Sequence, residues 1–377
     1  MKIGYVTTYD SSDRKNWSGL GIAIRECLRQ QGAEIFPIGP LSTRFPLADR
    51  VKRKIYSKFL KKEYELIRRP ERAQYLAQQI HNKMGDVDVI FSPGSIPISH
   101  LNHSKPIYLY SDATFASYIN HYGGGSNLTK EEISISNSLE KAAYEKCKMI
   151  FFSSDWAAAS AMDDYGVPQE KIRVVPFGPN FQNMPSKETV LSHIACRSTL
   201  ACNLVAIGVD WKRKGMQTAV ELVQELIERG IPSHLTIIGC TPPATVVLPS
   251  CVTVIDFIDK KTMEGEERLS NILMASHFHV LFPTAEAFGV VFSEANAHGA
   301  PNLSWNTGGV SSAVRSGFGG MCFPKDAAPS IIADYVQQVY TQGKYNELAC
   351  KAYREFEERL NWQSTGKQLM DSIRASM

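Results

Sequence analysis

The feature of this sequence that most constrains its fold is a regular alternation of short β-branched runs with longer segments of helical periodicity. This alternation is typical of βαβ units, in which helices cover a parallel sheet. A helix is predicted to start near Met216, with Gly230 just beyond its C-terminus. Eleven runs predict strands, at residues 2–7, 34–38, 87–92, 107–110, 149–153, 173–176, 203–207, 234–238, 252–255, 279–282 and 301–304.

The length of the chain predicts two domains. With 377 residues it exceeds the roughly 250 to 300 residues that one hydrophobic core serves. Residues 179–200 have the weakest pattern and are expected to link the domains. The expected fold class is therefore α/β, with two Rossmann-like domains, 1–180 and 198–358, facing a cleft. Ligands of open α/β sheets bind beyond the carboxyl ends of the strands, so we expect the substrate there.

Composition excludes several classes of protein. Hydrophobic residues make up 44% and charged residues 21%, as in ordinary globular proteins. The net charge of +3 is small and no nucleic-acid-binding motif is present, so no nucleic-acid partner is expected. The eight cysteines lack metal-ligand spacing, which favours reduced thiols and no metal site. Without a signal peptide or a long apolar run, the expected location is cytoplasmic.

One segment is strongly basic, with eleven Lys or Arg against four Asp or Glu between Arg44 and Arg72. Aromatic and aliphatic residues are interleaved with these cations. A helix in residues 50–72 could therefore rest on an anionic membrane, placing the protein at the inner membrane face with a lipid acceptor. The alternative, which we favour from sequence, is an amphipathic helix packed on the N-terminal sheet with a solvated basic face.

Two glutamates, Glu286 and Glu294, lie eight residues apart where a predicted strand runs through a loop into a helix. Such a spacing corresponds to about 10 Å, which is too far for an acid–base pair but suits two ends of one ligand. The backbone amides of Ala287, Phe288, Gly289 and Val290 would face a diphosphate at the start of the helix. The alternative is a helix-terminal charge followed by a solvated glutamate.

Three further features follow predicted strands. Lys212, Arg213 and Lys214 precede a helix, where cations oppose the helix dipole unless an anion lies between, although a solvated basic loop is the alternative. Gly19 opens the first helix and would let backbone amides approach a ligand, although a tight turn explains it equally. Asp112 follows the strand at 107–110 and is a candidate for the acceptor site.

Together these segments resemble the family 4 retaining glycosyltransferases of GT-B fold, also called glycosyl transferases group 1. The resemblance covers nearly the whole chain. In such enzymes the last helix crosses back onto the N-terminal domain, and residues from about 360 to 377 are expected to do so. The matching segments are the glycine loop at Gly19, residues 151–156 and 174–178, Lys214-Gly215, Glu286-x7-Glu294, and Thr307-Gly308-Gly309.

The resemblance implies roles for the donor-site residues. The first glutamate of the motif approaches the transferred sugar, which assigns Glu286, and the second binds the nucleotide ribose, which assigns Glu294. The lysine before the glycine contacts the donor diphosphate, which assigns Lys214. The family usually carries an arginine five residues earlier, where this chain has Val209, so Arg213 or Lys212 takes that place.

The resemblance also implies how the nucleotide base and the acceptor are bound. The loop around Ile258 corresponds to the region that contacts the base through backbone groups. Many relatives have a histidine where Ser111-Asp112 stands here, so the acceptor chemistry differs. Asp112 therefore joins Glu286 and Lys214 as a catalytic candidate. The N-terminal domain would bind the acceptor and the C-terminal domain the donor.

The implied reaction is transfer of a hexose from a UDP- or GDP-sugar to a hydroxyl of a glycan, lipid or small molecule, with retention of configuration. The nucleotide sugar is a co-substrate, and no cofactor is expected. No metal is expected either, because Asp86-Val87-Asp88 precedes a strand at the edge away from the ligand. The alternatives are a nucleotide-sugar epimerase of the same fold and a non-catalytic nucleotide-sugar binding protein.

Overall fold

A computed structural model describes residues 1–198 and 200–377; Thr199, in the expected linker, lies outside the described residues. All eleven predicted strands are confirmed, with ends that differ by at most two residues, and a twelfth strand, β12, was not predicted. The strands are β1 Lys2–Val6, β2 Glu34–Ile38, β3 Val89–Ser92, β4 Ile107–Ser111, β5 Cys147–Phe152, β6 Ile172–Val174, β7 Cys202–Ile207, β8 Ser233–Ile238, β9 Val252–Ile255, β10 Phe278–Leu281, β11 Asn302–Trp305 and β12 Gly320–Phe323.

The α-helices alternate with these strands along most of the chain. They are α1 Leu20–Gln30, α2 Leu47–Ile55, α3 Pro70–Lys83, α4 Phe115–His121, α5 Lys130–Lys146, α6 Asp155–Tyr165, α7 Lys187–Cys196, α8 Met216–Glu228, α9 Met263–Ala275, α10 Val290–Ala297, α11 Val310–Ala313, α12 Pro329–Thr341, α13 Tyr345–Glu358 and α14 Trp362–Ser376. Helix α7 lies inside the expected linker, and Ser186 caps it by accepting a hydrogen bond from the Thr189 amide. This part of the segment is therefore a regular helix.

The chain divides into two compact units, one of residues 1–176 with 362–377 and one of residues 177–361. The first unit contains a six-stranded parallel sheet in the order β2-β1-β3-β4-β5-β6. Strand β3 is buried along its whole length and β5 at every residue except Lys148, as expected when helices cover both faces of a parallel sheet. The apolar core under these helices includes Val6, Ile90, Leu109 and Ile150.

The last helix returns to the first unit, as expected from the resemblance. Helix α14 packs on α1 so closely that a Cβ at Gly366 would lie 2.6 Å from the Cys27 carbonyl oxygen. Its Thr365 hydroxyl donates to the carbonyl of Pro176 at 2.7 Å, and Ser376 Oγ lies 2.9 Å from the hydroxyl of Tyr108. The C-terminal residues thus complete the first unit.

The basic segment lies in the first unit but does not pack as favoured from sequence. Helix α2 and the π-helical turn Tyr56–Leu60 that follows it contain no buried residue. The expectation of an amphipathic helix packed on the N-terminal sheet is therefore wrong for residues 47–60. The part of the chain that the structure describes contains no helix with the length and apolarity needed to span a membrane.

The second unit contains a parallel sheet in the order β12-β11-β10-β7-β8-β9. Strands β7 and β10 are neighbours in the middle, and the connections from them run in opposite directions, β7 towards β8 and β10 towards β11. Such a topological switch point leaves a crevice beyond the carboxyl ends of the two strands. The α/β fold with two parallel sheets is therefore confirmed.

Candidate functional site

The candidate site lies at the switch point of the second unit. The loop after β7 carries residues 208–215 and the loop after β10 carries residues 282–289. Because β7 and β10 are paired in parallel, both loops leave the sheet at the same edge. Residues 72 positions apart in sequence, Lys214 and Glu286, are brought into contact there.

Backbone hydrogen bonds hold the two loops together. The Thr284 amide donates to the Arg213 carbonyl at 2.8 Å, and the Phe282 amide donates to the Lys214 carbonyl at 3.3 Å. Gly215 has a φ of 67°, and a Cβ there would lie 2.0 Å from the Phe282 carbonyl oxygen. Only glycine permits this approach, which fixes the position of the preceding lysine.

An ion pair joins Lys214 Nζ to Glu286 Oε2 in a very short contact. The Lys214 side chain is 12% exposed and the Glu286 side chain 10%, so water screens this pair weakly. Arg213 Nη1 lies 3.9 Å from the same carboxylate oxygen and donates to the Ala285 carbonyl at 3.3 Å. Lys212, by contrast, is exposed. Two of the three consecutive cations therefore face one carboxylate.

Helix α10 starts at Val290, four residues after Glu286. Its N-cap is Gly289, which has a φ of 82°. Amides in the first turn of a helix have no intrahelical acceptor, and the helix dipole places partial positive charge there. Phe177 contacts both the helix and the loop before it. Its carbonyl accepts a hydrogen bond from the Ser293 hydroxyl, and its ring packs edge-on against the Phe288 ring with the centroids 5.4 Å apart. The start of the helix thus places partial positive charge beside the loop that carries Glu286.

The second glutamate of the motif is buried and paired as well. Glu294 is 3% exposed, and its Oε1 accepts hydrogen bonds from Lys260 Nζ at 2.5 Å and from the Asn180 amide at 3.2 Å. Lys260 also lies over the ring of Phe181, 5.4 Å from its centroid. Lys260 was not among the predicted site residues, although its position in the loop after β9, beside a second lysine, could have indicated a role.

Ile258, from the same loop, is 8% exposed and packs into the core of the second unit with Leu269 and Leu273. Its side chain therefore anchors the loop. The predicted contact with the base concerns backbone groups and stays a prediction.

Two buried histidines support the motif from beneath. His298 Nδ1 lies 2.7 Å from the Glu294 carbonyl oxygen and its Nε2 lies 3.0 Å from Ser270 Oγ. His279 Nδ1 lies 2.8 Å from Asn302 Oδ1. Burial lowers the pKa of each imidazole from 6.5 to about 4, so both rings are neutral at neutral pH. Sequence reasoning missed them because no periodic pattern distinguishes a buried histidine from an exposed one.

The remaining site predictions, Gly19 and Asp112, fall in the first unit. Gly19 has a φ of 85° and precedes α1, after Trp17 and Ser18, which also have positive φ values. Asp112 is half-buried and follows the carboxyl end of β4, before Thr114 caps α4. Both residues thus lie after strands, at the edge where α/β sheets bind ligands.

The acidic run Asp86-Val87-Asp88 lies at the opposite edge of its sheet, directly before β3. The Asp88 carboxylate accepts a hydrogen bond from the Lys2 amide at 2.7 Å. This contact ties the first strand to the third and gives Asp88 a structural role.

Comparison with known proteins shows which family the second unit is similar to. Residues 201–342, which include Lys214, Glu286 and Glu294, match the family model described as Glycosyl transferases group 1. The chain is similar to the D-inositol 3-phosphate glycosyltransferase of Nocardiopsis dassonvillei, with 23% identity over 236 residues that cover 59% of this chain and 54% of the relative. The chain spans about half the length of the curated relatives it matches.

Solved structures match over the whole chain. Sucrose-phosphate synthase from Thermosynechococcus elongatus is 15% identical, with a TM-score of 0.66 and coverage of 100% of this chain and 98% of that one. Anabaena HepE in complex with UDP-glucose is 14% identical, with a TM-score of 0.62 and coverage of 100% of both chains. The resemblance to the glycosyl transferases of group 1 is therefore confirmed, and the chain has the GT-B fold.

Proposed function

We propose that this chain transfers a hexose from a UDP- or GDP-sugar to a hydroxyl acceptor, with retention of configuration and without a metal ion. The observation that carries this proposal is the buried pair of Lys214 and Glu286 beside Arg213 at the switch point of the second sheet. The match of residues 201–342 to the glycosyltransferase family and the UDP-glucose bound to HepE support it.

The donor diphosphate binds to Lys214 and to the amides at the start of α10. Its negative charge increases as the bond to the sugar breaks, and cations and amides already fixed in place stabilise that charge. Arg213 supplies the cation that relatives take from an arginine at the position of Val209. Its distance of 3.9 Å from Glu286 and the exposure of Lys212 support this choice.

The two glutamates bind different parts of the donor. Once the diphosphate engages Lys214, Glu286 approaches the sugar. Glu294 binds the ribose, and both Lys260 and the Asn180 amide contact its Oε1, which directs Oε2 towards a ribose hydroxyl. The acceptor hydroxyl attacks the anomeric carbon on the face from which the diphosphate leaves, and the departing phosphate oxygen takes its proton. Asp112 orients the acceptor.

A transfer assay with matched variants tests the donor site. Lys214→Met and Glu286→Gln are expected to lower kcat/KM by at least about a hundredfold, the usual effect of removing one group that stabilises transition-state charge. Lys212→Met removes a neighbouring but exposed lysine and is expected to keep the wild-type rate. Wild-type rates in both site variants would refute the proposed donor site.

The alternatives to transfer are distinguished by incubating the donor without an acceptor. An epimerase would convert the sugar under these conditions, as seen by NMR, whereas the proposed enzyme requires the acceptor. A binding protein would bind the donor and turn over no acceptor at all. The anomeric configuration of the product, read from its proton coupling constants, tests retention.

Metal independence has its own test. Transfer is expected to continue at an unchanged rate in excess EDTA, because Lys214, Arg213 and the α10 amides provide the positive charge. Loss of activity that Mg²⁺ or Mn²⁺ restores would refute this part of the proposal.

A further inference from the structure

The strongest unexplained feature of the first unit is an exposed apolar row on α2 and the turn after it. Leu47, Val51, Ile55 and Phe59 follow one another at intervals of four residues and so lie along one side of the helix. Leu47 is 76% exposed and Phe59 73%, and Val51, Ile55 and the adjacent Leu60 are exposed too. Such side chains are usually buried, so a contiguous exposed row marks a binding surface.

A second row, of cations, runs parallel to the apolar row. Arg50, Lys54 and Lys58 also follow at intervals of four residues, and all three are exposed. None of them forms an ion pair with another of the residues that the structure describes. Residues 47–62 contain seven Lys or Arg and one acidic residue. The surface is therefore both apolar and strongly positive.

Polar contacts at both ends hold this helix, with its apolar row left in solvent. Arg72 pairs with Asp49 at 3.1 Å near the start of α2. Beyond the turn, Lys62 Nζ donates to the Ser126 carbonyl at 2.5 Å, and the Glu63 amide donates to the Asn127 carbonyl at 2.7 Å. The apolar row is thus not needed to attach the helix to the unit.

The cations further along the basic segment have a different role. Arg68 and Arg69 face the unit, where they pair with Glu140 and Glu132, and Arg68 also lies over the ring of Phe115. The basic segment, which is continuous in the sequence from Arg44 to Arg72, therefore has two parts in the structure. Its cations beyond residue 67 and Lys62 contact the unit, and the cations in residues 50–61 are exposed to solvent.

A cavity of 610 Å³ adjoins the cationic row. Four of its lining side chains are cationic and two are acidic, so its lining has a net positive charge. The cationic residues are Arg53, Lys54, Lys58 and Lys62, and the acidic residues are Glu63 and Glu65. A cavity of this charge suits a phosphate-bearing head group.

We propose that residues 47–62 dock this protein onto the surface of an anionic lipid bilayer, with the row from Leu47 to Phe59 inserted among the acyl chains. Bilayers with anionic head groups combine the two chemistries that this surface offers, since apolar side chains enter the interface and cations bind the head groups. Nucleic acid would use the cations and leave the apolar row in water. A second copy of this surface would bring two sets of seven cations together, which is unfavourable.

Vesicle co-sedimentation of the full chain tests this proposal without a donor or an acceptor, so its outcome is independent of the proposed sugar transfer. Binding is expected to vesicles of mixed phosphatidylcholine and phosphatidylglycerol and to be much weaker with phosphatidylcholine alone. The variant Leu47→Ser/Ile55→Ser/Phe59→Ser is expected to bind at least about a hundredfold more weakly. The variant Arg50→Gln/Lys54→Gln/Lys58→Gln is expected to lose about a hundredfold as well.

Matched controls replace exposed residues of the same kinds elsewhere in the chain. Leu191→Ser/Val247→Ser/Ile331→Ser removes three exposed apolar side chains of the second unit, and Lys130→Gln/Lys141→Gln/Lys148→Gln removes three exposed cations of the first. Both controls are expected to bind vesicles like the wild type. Circular dichroism and the thermal shift produced by UDP or GDP are expected to be the same in every variant, because no substituted side chain is buried.

Three results would overturn the proposal. The first is that the protein binds anionic and neutral vesicles equally well, or binds neither. The second is unchanged binding by the serine variant together with loss in the glutamine variant, which would indicate a surface for polyanions such as nucleic acid. The third is a dimer in solution that the serine variant dissociates while vesicle binding is absent, which would assign the apolar row to a second copy of this chain.

Discussion

The pair of Lys214 and Glu286 makes a quantitative prediction about stability. Lys214→Met keeps the length of the side chain and leaves the Glu286 carboxylate buried without its nearest cation. Breaking a buried ion pair by removing one partner costs about 3 to 5 kcal/mol. Arg213 remains 3.9 Å away and offsets part of that cost. The free energy of unfolding of the second unit is therefore expected to fall by about 2 to 3 kcal/mol.

A double-mutant cycle isolates the interaction. Glu286→Gln leaves Lys214 without a carboxylate and is expected to cost about 2 kcal/mol. The double variant removes both charges, so its cost should be smaller than the two single costs together by about 2 kcal/mol. The measurement is urea unfolding followed by circular dichroism, with the exposed Lys212→Met as a control that changes stability by less than about 0.5 kcal/mol. Additive single costs would refute the coupling.

Ligand binding gives the same variants a second, independent measure. If the donor diphosphate binds Lys214 as proposed, it must take that lysine from Glu286, so the ion pair opposes binding in the wild type. Glu286→Gln is expected to bind UDP or GDP about tenfold more tightly by calorimetry, corresponding to about 1.4 kcal/mol, although it transfers sugar more slowly. Lys214→Met is expected to bind the nucleotide more weakly. Weaker binding by both variants would show that Glu286 itself holds the nucleotide.

Two further predictions concern the stability of the second unit. Burial lowers the pKa of three histidines to about 4, namely His277, His279 and His298. The unfolded chain binds their protons near pH 6.5, so the unfolding free energy should fall as the pH drops below that value, by about 2 kcal/mol per histidine at about pH 5. His298→Gln should reduce this dependence by about a third and the exposed His193→Gln should not, with urea midpoints as the measure. Gly215→Ala should lower the unfolding free energy by at least about 2 kcal/mol, because the added Cβ would meet the Phe282 carbonyl. Gly230 has a similar φ but open space around it, so Gly230→Ala should cost only about 1 kcal/mol. Equal falls in melting temperature for the two variants would contradict this.

Local pattern was sufficient to predict most of the fold. Buried parallel strands are nearly continuous apolar runs, so eleven of them could be located from the sequence. Strand β12 was missed because it has four residues and starts at Gly320, where a Cβ would lie 1.9 Å from the Asn302 carbonyl oxygen. The glycine at this position permits the close approach of two strand backbones. From the sequence alone, a glycine is more readily interpreted as part of a turn.

Amphipathic pattern alone was not sufficient for helix α2. An apolar row at helical spacing predicts a buried face, and in α8 the prediction holds, because Met216, Val220 and Val223 are buried. In α2 the same kind of row is exposed. The two helices differ in what surrounds the row, since α2 carries cations along its side. An apolar row in the sequence therefore does not tell whether the row is buried, and only the packing shows that the row of α2 is exposed.

The candidate site could be predicted as a set of residues but not as a set of contacts. Its members follow strands β7, β9 and β10, and the sequence does not contain the order of these strands in the sheet. That order brings Lys214 to Glu286, and the loop after β9 brings Lys260 to Glu294. Each glutamate is therefore neutralised by its own lysine, in an environment where an unpaired carboxylate would be costly. Under the proposed function, a diphosphate would engage Lys214 in place of Glu286, while Lys260 would keep Glu294 in position. Donor binding would then free the glutamate proposed to approach the sugar and leave the one proposed to bind the ribose fixed.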